Sequence, residues 1–471
     1  MMRSEPELHP AAKPVYPPAP KPQKAPLGPF ATLRHLRRNP IETWTEAHFE
    51  LPILMGRTII GEMALINDPS AIRRVLVENA ANYHKDRLQK RVLGPGLGQS
   101  VLTAEDADWR RQRRLLAPLF TPKMVATFAG ATEACTAAML ARWKRREQPS
   151  MVDIHAEMTQ LTLEILGRTL FADGLGRQPQ EVTAAMTHYF ETIGSLDPFD
   201  LLDFPEWLPR PTKWRAQPAL DFLGETVKGL IARRRRLMAG NAIGASSTIP
   251  HDLLTLLLEA EDPETNSGLS QKEIEANIIA FIGAGHETTA NALTWSLYLL
   301  SLSPEWRRRL EKEAEVVLER PLHEQADHLY ETRAVVEEAM RLYPPVASLS
   351  RVALDYDDLA GRRIRKGTVV MISQWVLHRH RHLWEDPDRF DPARFLPGRR
   401  EKIDRFAFLP FGAGPRICIG AGFAMQEATL VLAHILREFR LSTKQGFKAE
   451  PVQHITLRPK GGMPMLMRRR A

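Results

Sequence analysis

Phe411-Gly412-Ala413-Gly414-Pro415-Arg416-Ile417-Cys418-Ile419-Gly420 sets one of the chain's two cysteines on a glycine-bracketed loop just ahead of an apolar run. A chain can offer a single thiolate to a metal in this way. Nearby positive charge, the N-terminus of a following helix and backbone N–H groups close to the sulfur all stabilise a thiolate. Arg416, Gly414, Gly420 and a helix beginning near Gly422 supply those elements, so Cys418 is the candidate metal ligand.

The pattern Phe-x-x-Gly-x-Arg-x-Cys-x-Gly resembles the haem-binding loop of the cytochrome P450 family. Five fixed positions in a chain of 471 residues match by accident about once in ten thousand sequences. An inert cysteine in a turn is the ordinary reading of a lone thiol, and the flanking residues decide against it.

Hydrophobic residues make up 44% of the chain and charged residues 25%, which is ordinary globular usage and excludes a disordered or fibrous protein. Length alone suggests about three domains, although one large enzyme domain is permitted. Cys135 and Cys418 cannot build a disulfide framework, which points to a reducing cytoplasm. Prolines and charges interrupt every apolar stretch of the first fifty residues, so no signal peptide or membrane anchor is expected there. The net charge of +8 reads as solvated surface. Its densest clusters, Arg110 to Arg114 and Arg233 to Arg236, carry no nucleic-acid motif or aromatic interleaving.

Residues 1–29 hold nine of the 36 prolines and read as an extended lead-in arm rather than packed structure. A strand is expected around Thr58 to Ile66, closed by Asn67-Asp68-Pro69. Helical patterns near Ala126 to Arg146, Glu157 to Phe171 and Leu220 to Met238 follow. Gly240 to Thr248 and Glu261 to Gly268 read as exposed connections. The fold class is mainly α with a small β region, to which Thr368 to Ile372 and Arg351 belong.

The longest helix opens on Ser270 as N-cap with Glu273 as its capping-box partner and Leu269 with Ile274 as a hydrophobic staple. It should run to about Leu302, ahead of Pro304. His286 and Glu287 near its midpoint make a membrane span expensive. At its centre, Ala284-Gly285-His286-Glu287-Thr288-Thr289 lowers helix propensity. Small residues open a groove beside the helix, and a threonine hydroxyl can bond to the carbonyl four residues back or release it.

That hexapeptide resembles the family's oxygen-activation motif, which implies proton delivery by Thr288 and Glu287 as the catalytic pair. Glu338-Ala339-Met340-Arg341 resembles the family's Glu-x-x-Arg helix, and Phe390-Asp391-Pro392-Ala393-Arg394-Phe395 its downstream arginine segment, with Ala393 where an acid is common. The resemblance implies a structural triad of Glu338, Arg341 and Arg394 that fixes the cysteine loop. Trp109-x-x-x-Arg113 puts an indole N–H and a guanidinium one turn apart, suited to a haem propionate. By the same resemblance Arg351 and Arg416 complete the anion clamp, and Phe411, Ala284 and Gly285 line the cofactor. The cluster His378 to His382 is the rival metal site; its alternating arginines repel a cation and no cysteine or carboxylate completes a zinc set.

Four motifs in the family's order identify the chain as a member of the cytochrome P450 family. The fold implied is the cytochrome P450 fold, a single haem domain over 30–471, with haem between the long central helix and the cysteine loop. The function implied is a haem-thiolate monooxygenase that activates O2 and hydroxylates or epoxidises an apolar organic substrate. The cofactor implied is haem b (iron protoporphyrin IX), held by the Cys418 thiolate. Chain length leaves no room for a fused reductase, so electrons would come from a separate ferredoxin or flavodoxin with its NAD(P)H reductase. Arg110, Arg114 and Arg468 to Arg470 are a candidate docking face for an acidic carrier. The protein is expected to be a cytoplasmic monomer that binds no nucleic acid and spans no membrane. Gly94 to Leu102, Phe190 to Trp207 and Val346 to Ser350 are the candidate pocket segments. Two alternatives stay open: a haem-thiolate enzyme that uses peroxide or isomerises its substrate, and a non-catalytic haem-binding sensor.

Overall fold

The structure, a computed structural model, describes residues 13–58, 61–172, 179–194, 204, 211–242, 249–250 and 252–470. The helix Gln271–Leu302 runs through its centre. The capping box is present, with the Ser270 hydroxyl accepting from the Glu273 N–H and the Glu273 carboxylate accepting from the Ser270 N–H. Leu269 and Ile274 are both buried, as a staple requires. Pro304 opens the next helix, Pro304–Val317, at the place where the long helix ends.

From Ala290 to Leu300 every residue of the long helix is buried. A helix buried around its whole circumference needs neighbours on all sides, and here they are Ile154–Leu170, Tyr330–Leu342 and Ala421–Glu438. Trp295 stacks on Tyr343 with ring centroids 3.9 Å apart and planes 11° from parallel, an aromatic contact that locks the long helix to the end of Tyr330–Leu342.

The β region is a five-stranded sheet in the order Ile53–Thr58, Gly61–Ile66, Val369–Ile372, Leu349–Ala353, Tyr83–His84. Arg351 faces Val370 across an antiparallel pair, so it shares a sheet with the Thr368 to Ile372 segment as the sequence indicates. A three-stranded sheet joins Ser150–Asp153, Pro464–Arg469 and Phe439–Ser442.

Several sequence expectations shift. The segment near Ala126 to Arg146 is two helices, Pro122–Thr127 and Ala129–Lys144. Among the described residues 122–144 alone has the length and mean hydropathy, 1.3, that membrane spans have. It is broken at Phe128, and its longer part packs on Ala421–Glu438 and Ile154–Leu170. The third helix is much longer than its apolar pattern, Pro211–Ala242, because it continues upstream through Pro218. Glu261 to Gly268 is a loop, but its Asp262 is buried and paired with Arg114. Most of Gly240 to Thr248 and of Phe190 to Trp207 lies outside the described residues.

The described part of the proline-rich arm is extended, yet it is packed rather than free. The Phe390 N–H donates to Val15 O at 2.9 Å, and the Tyr343 hydroxyl to Pro18 O at 2.7 Å. A chain without internal hydrogen bonds has all its carbonyls available, and buried donors of the domain use them.

Candidate active site

The cysteine loop is closed by one backbone bond, from the Cys418 N–H to Phe411 O at 2.9 Å. Gly412 and Gly414 take φ of +71° and +73°, the left-handed region that glycine enters without steric strain. At Gly414 a Cβ would also overlap the carbonyl oxygen of Leu76. The helix Ala421–Glu438 starts one residue after Gly420.

Cys418 has an accessible surface, although protein surrounds it so fully that burial pushes its thiol pKa up. Against burial work the backbone N–H of Gly420 and the charge of Arg113. Arg416, the cation nearest in sequence, does not take that role. It hydrogen-bonds Glu105 and donates to Ala104 O at 3.1 Å, and its guanidinium lies 4.4 Å from the Trp109 ring centroid. The cation that supports the sulfur therefore comes from the helix Asp106–Leu116.

Lys85 also belongs to this corner, and no sequence motif marks it. Its Nζ donates to Ala104 O at 2.8 Å, the oxygen that Arg416 also uses. Burial, with Arg416 and Arg351 nearby, pushes Lys85 down to about 7. Glu105 accepts from the Lys85 backbone N–H and from Arg416, stitching two distant segments together. Lys85, Lys90, Arg110, Arg351 and Arg416 act here against Asp86, Glu105 and Asp106. Cations are in excess.

On the long helix the Thr288 hydroxyl donates to Ala284 O at 2.8 Å. Ala284 is exposed and Thr288 half-buried, one turn apart on a helix that is otherwise largely buried. Gly285 faces elsewhere: a Cβ there would press on Leu166 of Ile154–Leu170 at 3.2 Å, so this glycine permits a close helix crossing. Glu287 is buried, with Arg458 at 3.9 Å. Arg458 lies on the short strand Leu457–Pro459, which carries no recognisable pattern.

Glu338 and Arg341 are fully buried and joined by two bonds, 2.6 and 2.8 Å long. Arg341 also donates to the carbonyls of His378, Pro387 and Arg389. Arg394 approaches Glu338 at 3.8 Å and donates to Asp386 O at 2.9 Å. The three residues meet as the sequence indicates, and Arg394 is the looser member. The histidines of the cluster are engaged elsewhere: His378 accepts from the Leu409 N–H at 2.9 Å and His380, its ring 5.7 Å from that of His382, faces Leu51 O at 3.3 Å. No group of three or more metal-ligating side chains is found among the described residues.

A sequence profile of the family described as cytochrome P450 matches residues 18–465. The chain belongs to the cytochrome P450 family. Among curated P450 relatives, cyclooctatin synthase of Streptomyces melanosporofaciens is 34% identical over 83% of each chain. Cyclooctat-9-en-7-ol 5-monooxygenase of the same organism is 34% identical over 74% of each. Pentalenene oxygenase of Streptomyces avermitilis is 34% identical over 76% of this chain and 78% of its own. This P450 is accordingly a monooxygenase built around haem iron. Its residues fit that group: an accessible thiol, supported by the Gly420 N–H and the Arg113 guanidinium, lies close in the fold to cations in excess, as a dianionic porphyrin requires.

A groove of about 810 Å³ runs behind the cysteine loop, lined by Phe411, Gly412 and Ile417 of the loop and by Arg333, Arg400 and Arg405. Its arginines are balanced by Asp327, Glu337 and Glu401, and Arg400 lies 3.4 Å from Glu337; of the docking face suggested by sequence, two members are likewise paired. Arg114 is paired at 2.9 Å with both Asp262 and Glu264, and Arg470 with Glu315 at 2.6 Å.

Proposed function

We propose that this P450 binds haem b through the Cys418 thiolate and hydroxylates or epoxidises a terpenoid hydrocarbon or its mono-alcohol. A separate ferredoxin or flavodoxin with its NAD(P)H reductase supplies the electrons, and the chain, with residues 30–471 as one haem domain, acts as a cytoplasmic monomer. The observation that carries the reading is Cys418, an accessible thiol inside the protein with Arg113 and the Gly420 N–H beside it. Haem, when bound, supplies reductive activation of O2 and the oxygen atom that enters the substrate.

The chain's own residues do the rest. Cys418 donates electron density as a thiolate. Lys85, Arg351, Arg416, Arg113 and Trp109 hold and orient the propionates, and Phe411 and Ala284 border the ring, while Gly285, packed on Leu166, lets the long helix approach its neighbour closely. Thr288, fixed by its bond to Ala284 O, presents its hydroxyl oxygen to the distal side, and Glu287 supplies protons. Replacing the Thr288 hydroxyl by Ala should leave NADPH oxidation running while product falls about tenfold. Unchanged coupling of NADPH to product would remove Thr288 from proton delivery and favour the peroxide-using alternative.

The relatives' names support the substrate class: one acts on cyclooctat-9-en-7-ol and another is a pentalenene oxygenase. Addition of pentalenene to purified ferric protein should shift iron towards high spin, and dodecanoic acid should not. The reverse result would overturn the terpenoid assignment. An acidic electron carrier docking on the basic face of Arg110, Arg114 and Arg468 to Arg470 should reduce the protein through this face, so the reduction rate should fall as salt rises. A salt-independent rate would contradict an electrostatic docking there.

A further inference from the structure

Asn277 and Gln112 are two fully buried amides that the chemistry above does not use. Asn277 stands seven residues before Ala284 and eleven before Thr288 on Gln271–Leu302. Both spacings are close to whole turns, so the three residues share one face of the helix. Along that face Asn277 lies about 10 Å from Ala284, towards the start of the helix. Gln112 belongs to Asp106–Leu116, between Trp109 and Arg113.

The hydrogen bonds of the two amides form one connected set. Asn277 Oδ1 accepts from the Val101 N–H at 2.9 Å, and its Nδ2 donates to Gln112 Oε1 and to Glu273 O, both at 2.8 Å. Gln112 Nε2 in turn donates to Gln99 O at 3.0 Å. A backbone N–H only donates and a carbonyl only accepts, so the orientation of both amides is fixed. In this loop they hold backbone alone, the Gln99 carbonyl and the Val101 N–H, and its path is set whatever side chains it carries. Gly98 adds a second constraint. It takes φ +47° and ψ −143°, a conformation that glycine enters without strain, and a Cβ there would lie 3.4 Å from Ala276 Cβ of the long helix. Just upstream, a Cβ on Gly96 would overlap the Tyr189 hydroxyl.

The loop is thus tied to the same face of the long helix that carries Ala284, exposed, and Thr288, half-buried. We propose that Asn277 is a positioning residue for substrate. With Gln112 it holds Gln99 to Val101 as a fixed wall of the space in front of Ala284 and Thr288. The place of that wall sets how bulky a substrate fits and which of its carbons is offered for oxidation. This rests on the reading of Thr288 as facing the distal side of haem. Asn277 acts through the Val101 backbone and touches neither substrate nor cofactor. A wall already ordered before a ligand arrives adds no ordering cost to binding. Cutting its tether therefore penalises ligands that reach the wall and spares those too small to do so.

The test uses purified ferric holoenzyme and two ligands that bind haem iron through an imidazole nitrogen, imidazole itself and the bulkier 4-phenylimidazole, each followed by its Soret shift. Asn277→Leu cuts the tether. Gly98→Ala displaces the same loop without leaving a buried polar atom unpaired, and Asn277→Asp keeps an acceptor for the Val101 N–H. The Leu and Ala variants should bind 4-phenylimidazole about tenfold more weakly, while their affinity for imidazole stays at the wild-type value. Asn277→Asp should recover most of the loss. Wild-type affinity for 4-phenylimidazole in Asn277→Leu or in Gly98→Ala would overturn the positioning role. So would an equal loss of both ligands, which marks a general loosening of the fold. If neither ligand shifted the Soret band of the wild type, the haem reading on which the proposal rests would fall instead.

Discussion

The guanidinium of Arg416 lies over the indole of Trp109, 4.4 Å from the ring centroid, and pairs with Glu105. Two residues before Cys418, it ties the cysteine loop to the helix Asp106–Leu116 instead of acting on the sulfur. Positioning of Cys418 and charge support of its thiolate are thus separate jobs, given to Arg416 and Arg113.

Arg416→Ala removes a cation–π contact and an ion pair that is largely shielded from water, together about 1–3 kcal/mol. Haem should leave the variant at least tenfold faster, followed as transfer to excess apomyoglobin, and the folded apoprotein should retain its secondary structure. Arg416→Lys should recover little of the loss, because an ammonium cannot stack and pair at once.

Arg341→Ala strands the Glu338 carboxylate at a site with no solvent exposure, which should destabilise the protein by about 3–5 kcal/mol. Arg394→Ala should have a smaller effect, since its approach to Glu338 is 3.8 Å. Urea unfolding of both variants checks the order.

Gly414→Ala meets two obstacles, a φ of +73° and a clash with the backbone at Leu76. Neither can relax by a side-chain rotation. The loop must move, so the variant should lose roughly 3 kcal/mol or more and fail to retain haem on gel filtration. Gly420→Ala, where a Cβ would find open space, should behave nearly as wild type.

His378 gives the pH dependence a clear sign. Accepting the Leu409 N–H at Nε2 requires a neutral ring, and burial, with Arg341 and Arg379 nearby, holds its pKa down to about 3. The unfolded chain has the ordinary value of about 6.5. Between these values unfolding takes up a proton, so this group's stabilisation is complete above about 6.5 and is lost as pH falls towards 3. A His378→Gln variant should be less stable at pH 7, and its stability should fall less steeply between pH 6 and 4. A wild-type slope would exclude His378 from acid unfolding.

The sequence made the site legible wherever chemistry forces residues close together in the chain. The cysteine loop, the capped long helix and the pair Glu338–Arg341 are each local patterns, and the structure brings them where expected. Residues recruited by tertiary packing left no such trace. Lys85, Glu105 and Arg458 sit on unrelated segments and meet the motifs only through the fold. Gly285 shows a subtler gap: its small size reads as a groove, whereas the space is taken by Leu166. The proline-rich arm shows another, since composition sets its extended backbone but not whether buried donors such as Tyr343 will use its carbonyls.

The most direct test of the account is the absorption spectrum of purified, dithionite-reduced protein under carbon monoxide, beside a Cys418→Ala variant loaded with the same haem. Thiolate ligation by Cys418 predicts a strongly red-shifted Soret band in the wild type and its absence in the variant. The same band in both, or in neither while the wild type is folded and haem-loaded, would contradict Cys418 as the iron ligand and the monooxygenase chemistry assigned to it.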